Sequence, residues 1–143
     1  MKNTNLLLAT ALLALVSAAC FAQAKTCPDT IAVNQEIQGS IPGWQVSKDD
    51  TPVRLAGITF FDGPPGEKAS LVYDETKRTT GKVVMIWHFL PNRDRQIWMS
   101  CGYSETTVTI AQELPNEISR CSVTYNPKIR VAGLPMIEKI DCK

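Results

Sequence analysis

The chain has 143 residues, and its 15 Lys and Arg residues nearly balance its 14 Asp and Glu residues, leaving a formal net charge of +1. A chain of this length suits one domain with a core of its own. The balanced charge argues against the basic face that nucleic-acid binding needs and against a cationic membrane-binding surface. We therefore expect one globular domain that binds no nucleic acid.

The N-terminus has the features of a secretory signal peptide. Lys2 is the only charged residue before Lys25, residues 6–19 are an apolar run, and Ala22-Gln23-Ala24 supplies the small residues of a cleavage site. We predict a signal peptide over residues 1–24 and a single β-rich periplasmic domain over residues 25–143. The apolar run is shorter than the ~20 residues of a transmembrane helix, so no integral membrane segment is expected.

Cys20 supports an alternative reading of the same segment. A lipoprotein signal also places a cysteine near the end of the apolar run, where the cysteine is acylated. Such signals carry Leu three residues before that cysteine, whereas this chain has Ser17. Soluble release after Ala24 is therefore favoured over lipidation.

The first half of the domain shows short strands separated by turn residues. Ile31, Val33 and Ile37 alternate with polar residues and predict a first strand. Residues 53–61 predict a second strand, and the glycine inside it, Gly57, indicates a bulge or a close backbone approach. Residues 69–73 predict a short strand, and the polar stretch 74–81 predicts a loop or a single helical turn.

Residues 82–126 have the most regular pattern in the chain. Residues 83–90 are apolar on both faces, which is typical of a central strand. Further alternating segments predict strands over 97–103, 108–114, 121–125, 129–131 and 137–142. The fold class predicted is all-β: a single domain, mostly an antiparallel meander that forms a sandwich or a partly rolled sheet, stapled by two disulfides.

Four cysteines remain after signal removal, an even number that predicts two disulfides in an oxidising compartment. In a plain meander over residues 96–126, the strands of Cys101 and Cys121 would lie ~9.6 Å apart, beyond the ~7 Å that a disulfide spans. Cys121 and Cys142 would instead face each other across a final hairpin. We prefer 27–101 with 121–142; the alternative is 27–142 with 101–121, which involves the same residues, Cys27, Cys101, Cys121 and Cys142.

Residues that would carry catalysis or hold a metal are sparse. His88 is the single histidine and lies in the most apolar segment, which favours a core or strand-edge histidine with one hydrogen-bond partner. No pair of cysteines has C-x-x-C spacing, and the motifs of serine hydrolases, zinc proteases and phosphate-binding loops are missing. Asp62 and Glu67 flank a Pro-Pro loop and would suit a carboxylate pair, but solubility of the loop is the simpler reading. We predict a protein without catalytic residues, cofactor or metal.

The three tryptophans would suit a carbohydrate-binding platform. Trp87 lies in the central apolar segment and is expected in the core. Trp98 lies on the more polar face of its strand and is the best candidate for an exposed aromatic residue. Trp44 lies in a polar stretch after a turn.

Several short motifs resemble an uncharacterised family of small disulfide-containing periplasmic proteins of Gram-negative bacteria, some encoded near type VI secretion genes. The motifs are Cys27-Pro28, Gly43-Trp44, Phe61-x-Gly63-x-Pro65, Ile97-Trp98-Met99-x-Cys101-x-Tyr103 and Cys121-x-Val123. The resemblance implies an immunity protein that neutralises a peptidoglycan-targeting toxin. It implies no catalytic residues.

An inhibitor of this kind needs a protruding surface that blocks a toxin or hydrolase. Two loops, residues 62–68 and 91–95, are the candidates, and arginine is enriched at interface hot spots. The candidate partner-binding residues are Arg93, Asp94, Arg95, Trp98, Asp62 and Glu67. The alternatives are an inhibitor of host lysozyme and an envelope structural or glycan-binding module that uses Trp98 and Trp44.

Overall fold

Alternating apolar residues form nine strands in a computed structural model that describes residues 26–90 and 94–143. The predicted signal peptide, Cys20 and Arg93 lie outside the described residues. The strands are β1 (Thr30–Ile31), β2 (Val53–Asp62), β3 (Ser70–Leu71), β4 (Glu75–Thr79), β5 (Lys82–His88), β6 (Ile97–Tyr103), β7 (Thr109–Glu113), β8 (Arg120–Val131) and β9 (Leu134–Cys142). A 3-10 turn spans Pro65–Glu67.

The strands form two antiparallel sheets. The first has the order β1-β2-β6-β7, with β3 paired to the far end of β2, and the second has the order β4-β5-β8-β9. The predicted all-β class, antiparallel pairing and two disulfides are confirmed.

The chain changes sheet twice within the stretch that has the most regular pattern. β7 pairs with β6 but β8 pairs with β5 and β9, so residues 96–126 do not form one plain meander. Trp87 of β5 packs against Phe60 of β2, with ring centroids 4.8 Å apart, and Phe60 is fully buried. The two rings are tilted by 55° and belong to strands of different sheets, so β5 and β2 pack against each other across the core.

The core lies between the two sheets. Phe60 also contacts Phe89 at 5.6 Å, and the Trp87 Nε1 donates to the Leu71 carbonyl at 3.3 Å, which satisfies the one polar atom of that ring. Other buried residues come from both sheets and the connection after β7: Leu55, Ile58, Ile97, Met99, Tyr103, Leu114, Ile118 and Val123.

Three local predictions had different outcomes. The bulge expected at Gly57 is confirmed by a register shift between Leu55 and Gly57. The first strand is shorter than predicted, Thr30–Ile31 only. The loop or helical turn predicted over 74–81 is wrong, because Glu75–Thr79 is a strand paired with β5. β4 is exposed on both faces at a sheet edge, so it has no apolar alternation that a sequence pattern would detect.

The two bridges are Cys27–Cys101 and Cys121–Cys142, the pairing preferred from the sequence. Cys121 and Cys142 are directly opposite in the β8–β9 hairpin, with Cα atoms 4.1 Å apart. Arg120 and Lys143 exchange both backbone hydrogen bonds, so the cysteines occupy the adjacent non-hydrogen-bonded position, where strands approach most closely.

Candidate functional site

The two loops chosen from the sequence meet at one end of the first sheet. Asp62, the last residue of β2, is paired with Ile97, the first residue of β6. The Gly63 N–H donates to the Gln96 carbonyl at 2.8 Å, which extends the pairing into the loops. Residues 62–68 and the segment that contains Asp94 and Arg95 are therefore neighbours.

Arg95 connects these loops. Its Nη2 donates to the Asp62 carbonyl at 2.7 Å and to Glu67 Oε2, and its Nε lies 3.3 Å from Asp62 Oδ1. The hydrogen bond that Arg95 donates to Glu67, followed by the negative charge of Glu67, raises the pKa of Arg95. We call Asp62, Glu67 and Arg95 the Arg95 clamp. About half of each side chain is exposed, so the clamp is a surface cluster with one cation and two carboxylates.

The backbone of the 62–68 loop shapes one side of the clamp. Gly63 is buried with φ of +95°, and a Cβ built there would overlap the Arg95 guanidinium. Pro65 begins the 3-10 turn, and Lys68 ends it in the left-handed region at φ of 59°, with its N–H donated to the Pro65 carbonyl. The turn brings Glu67 back toward Arg95. The Gly-Pro-Pro-Gly segment, residues 63–66, therefore positions one of the two carboxylates of the clamp.

The other candidate residues lie differently. Asp94 is exposed beside the clamp, and Arg93 is outside the described residues. Trp98 lies on β6 between its register neighbours Phe61 and Glu113, and its side chain is partly covered. The sequence-based choice of Trp98 as the best exposed aromatic is wrong, since Trp44 is 79% exposed. Trp98 lies on an interior strand with β2 on one side and β7 on the other, whereas Trp44 lies in a long loop.

The long loop is the surface that sequence reasoning underrated. Residues 32–52 have no regular structure, and four large apolar side chains in it are exposed: Ile37, Ile41, Trp44 and Val46. The period-two pattern predicts a strand that includes Ile37, but no strand among residues 26–90 and 94–143 pairs with it. The Ile41-Pro42-Gly43-Trp44 turn signal was the available hint.

His88 is exposed at the end of β5, and its Nε2 lies 3.1 Å from Glu75 Oε1. That hydrogen bond, followed by the charge of Lys77, lowers the pKa of Glu75. The single predicted partner is therefore present, at a strand end and not in the core.

Among residues 26–90 and 94–143, no three His, Cys, Asp or Glu side chains are grouped so as to hold a metal. Within the same ranges, no helix has the length and apolarity needed to cross a membrane.

Comparison with known proteins identifies the family to which this chain is similar. Residues 47–143 match the family described as "Type VI secretion system Tli immunity protein". A protein of Azospirillum brasilense described as "Uncharacterized 16.3 kDa protein in trpG 5'region" is 26% identical over 133 residues, covering 88% of this chain and 87% of that protein. No solved structure matches the chain significantly. The family match covers more than half of the chain and includes the Arg95 clamp, strands β2 to β9 and three of the four bridging cysteines; the chain therefore belongs to the Tli immunity protein family of the type VI secretion system.

Proposed function

We propose that this chain is a periplasmic immunity protein that binds a type VI toxin and keeps it from its substrate. The observation that carries the proposal is the match of residues 47–143 to the Tli immunity family. An immunity family implies a toxin as the partner, and inhibition in place of catalysis. Two sheets stapled by disulfides suit this task, because a rigid binder loses little conformational freedom on association.

The disulfides and the N-terminal sequence pattern support the periplasm as the compartment. Disulfides persist in oxidising compartments such as the periplasm. Cleavage after Ala24 remains a prediction, and N-terminal sequencing of protein from a periplasmic extract tests it. The expected first residue is Lys25; an acylated Cys20 at the N-terminus would establish the lipoprotein alternative.

Peptidoglycan as the toxin's target also remains a prediction. The test takes the product of the reading frame beside this gene as the candidate toxin and incubates it with purified sacculi or with phospholipid vesicles. We expect release of soluble muropeptides, stopped by one equivalent of this protein, with lysozyme as the specificity control. Release of fatty acids that this protein still stops would retain the immunity role and contradict the peptidoglycan target. Failure to stop either reaction would contradict the immunity role, and inhibition of lysozyme alone would favour the host-lysozyme alternative.

The surface around the Arg95 clamp is a proposed contact for the toxin. The clamp is half exposed and already held by its own ion pairs, and Arg93, Asp94 and Trp98 are close to it in sequence. Pre-ordered charged groups steer association and select partners more than they add raw affinity.

Substitutions separate direct contact from loss of loop structure. Arg95→Ala removes both the cation and the clamp, whereas Glu67→Gln weakens the clamp and keeps the cation. We expect Arg95→Ala and Arg93→Ala to slow toxin association and Glu67→Gln to slow it less, measured by stopped-flow at low and high salt. Unchanged association in both arginine variants would remove this surface from the proposed interface.

A further inference from the structure

The loop between β1 and β2, residues 32–52, is unusually long for a domain of this size. We call it the Trp44 loop. Loops longer than about 12–15 residues without regular structure are uncommon in compact domains and are often functional. Every residue from 34 to 52 is exposed. The loop nevertheless presents Ile37 at 54%, Ile41 at 55%, Trp44 at 79% and Val46 at 59% exposure. Four large apolar side chains exposed within ten residues of one loop give that loop an apolar surface available to a partner.

The tip of this loop is ordered by a tight turn. The Trp44 N–H donates to the Ile41 carbonyl at 3.2 Å, and Gly43 has φ of +83°. Proline followed by a residue with positive φ is the sequence of a type II turn, and Pro42-Gly43 supplies it. The turn therefore presents Ile41 and Trp44 from adjacent ends of one rigid unit.

The arms of the loop are also tied. Lys48 Nζ lies 2.9 Å from Glu36 Oε1, which links the two arms, and Gln35 Nε2 donates to the Glu105 carbonyl at 3.1 Å. Asp49 accepts a hydrogen bond from the Thr51 N–H at 2.9 Å and forms a second turn near β2. These contacts lower the ordering cost that a flexible loop would incur on binding.

The charge of the loop indicates what kind of surface it fits. Its charged residues are Glu36, Lys48, Asp49 and Asp50, which sum to three acids against one base. An anionic membrane surface attracts basic segments and disfavours an acidic one. An apolar pocket with a basic rim, in a folded protein, complements both the indole and the carboxylates.

We infer that the Trp44 loop enters an apolar, basic-rimmed cleft of the toxin, with Trp44 as the anchor. This inference rests on the proposed immunity function and assigns its main contact. The family match begins at residue 47, so the Trp44 turn lies outside it.

Substitutions in the Trp44 loop and in the Arg95 clamp test two separate surfaces for toxin binding. The loop joins the first sheet where β2 begins, beside Ser104 and Glu105, and the clamp lies where β2 ends. β2 has ten residues, a length of about 33 Å at ~3.3 Å per residue. Substitutions at the two ends are therefore too far apart to couple directly.

The test compares Trp44→Ala with Val72→Ala, since Val72 is also 79% exposed but lies outside the loop. Affinity for the candidate toxin, the product of the reading frame beside this gene, is measured by calorimetry, and protection is measured in cells that produce that protein. Urea unfolding verifies that both variants are as stable as the parent. We expect Trp44→Ala to weaken binding by at least about 30-fold, the level of a hot spot, and Val72→Ala to change it less than about twofold.

The outcomes separate the inference from the function on which it rests. Parent-like toxin affinity of Trp44→Ala, in a protein that still protects cells, overturns the loop assignment and leaves the immunity role intact. A parent protein that neither binds the toxin nor protects cells overturns both. A second arm uses vesicles of phosphatidylethanolamine and phosphatidylglycerol: Trp44-dependent vesicle binding with unchanged toxin affinity would assign the loop to a membrane and overturn the inference.

Discussion

Gly63 leaves the space that the Arg95 guanidinium occupies in the Arg95 clamp. The backbone has φ of +95°, and a Cβ would overlap the guanidinium of Arg95. Gly63→Ala should lower the free energy of unfolding by about 1–2 kcal/mol, because it combines left-handed strain with displacement of Arg95. Gly66→Ala is the matched control, since nothing lies within 4 Å of its Cβ position. Urea unfolding measures both, and equal stability of the two variants would contradict the role assigned to Gly63.

Tyr125 on β8 makes stability depend on pH in the alkaline range. Burial raises the pKa of Tyr125 in the folded protein. Above the unfolded pKa of about 10, the unfolded chain loses the phenolic proton before the folded protein does, so the free energy of unfolding falls as pH rises. In Tyr125→Phe the free energy of unfolding should fall less steeply with pH above about pH 10, because the titrating phenol is gone. Below about pH 9, the free energies of unfolding of the variant and the parent should differ by a constant amount. Urea unfolding across the alkaline range measures it, and parallel curves for the two proteins would contradict the prediction.

At the scale of elements, the β8–β9 hairpin has a turn that its sequence does not favour. Val131 pairs with Leu134, so the loop has two residues, Ala132 at φ of 48° and Gly133 at φ of 81°. Two positive φ values define the type I′ turn, for which Asn-Gly is preferred. Ala132→Asn should raise the free energy of unfolding by up to about 1 kcal/mol, because asparagine tolerates the left-handed region better than alanine does.

Thermal and urea unfolding measure the effect of Ala132→Asn. Gly133→Ala in the same hairpin is the opposing control and should destabilise the protein, since it places a second Cβ in the left-handed region. A destabilised Ala132→Asn variant would mean that the turn differs from the type I′ geometry.

At the scale of the whole molecule, the two disulfides restrict the unfolded chain to different extents. Cys27–Cys101 closes a separation of 74 residues and Cys121–Cys142 one of 21. The chain-entropy relation gives about 4 kcal/mol for the first bridge and about 3 kcal/mol for the second. Replacing Cys27 and Cys101 together with alanine should therefore destabilise the protein more than the same change at Cys121 and Cys142. Equal losses in urea unfolding would point to native-state packing as the dominant contribution.

The Cys27–Cys101 bridge also fastens the N-terminal segment to β6, an effect separate from its restriction of the unfolded chain. Cys27 is buried and ties the segment before β1 to β6, where the Tyr103 hydroxyl donates to the Pro28 carbonyl at 3.1 Å. The same segment leads into the Trp44 loop. Loss of the Cys27–Cys101 bridge should consequently weaken toxin binding as well as stability if the loop is the main contact.

The sequence by itself determined the all-β class, the bulge at Gly57 and the final hairpin that brings Cys121 opposite Cys142. Each depends on local properties: alternation with a period of two, a glycine inside a strand, and chain geometry around a hairpin. The resemblance to type VI-associated proteins was likewise carried by short motifs, and the family match confirms it.

Only the tertiary structure decided which strands share a sheet and which surface residues are available. β4 has no apolar alternation, so its strand conformation comes from pairing with β5. Arg95 meets Asp62 and Glu67 across 33 and 28 residues of sequence, a contact that no local pattern encodes. Trp98 is partly covered on a strand that β2 and β7 flank, and Trp44 is exposed in a loop that pairs with no strand in the part of the chain that the structure describes. Exposure of a side chain depends on the strands that pack around it, and these are distant in sequence.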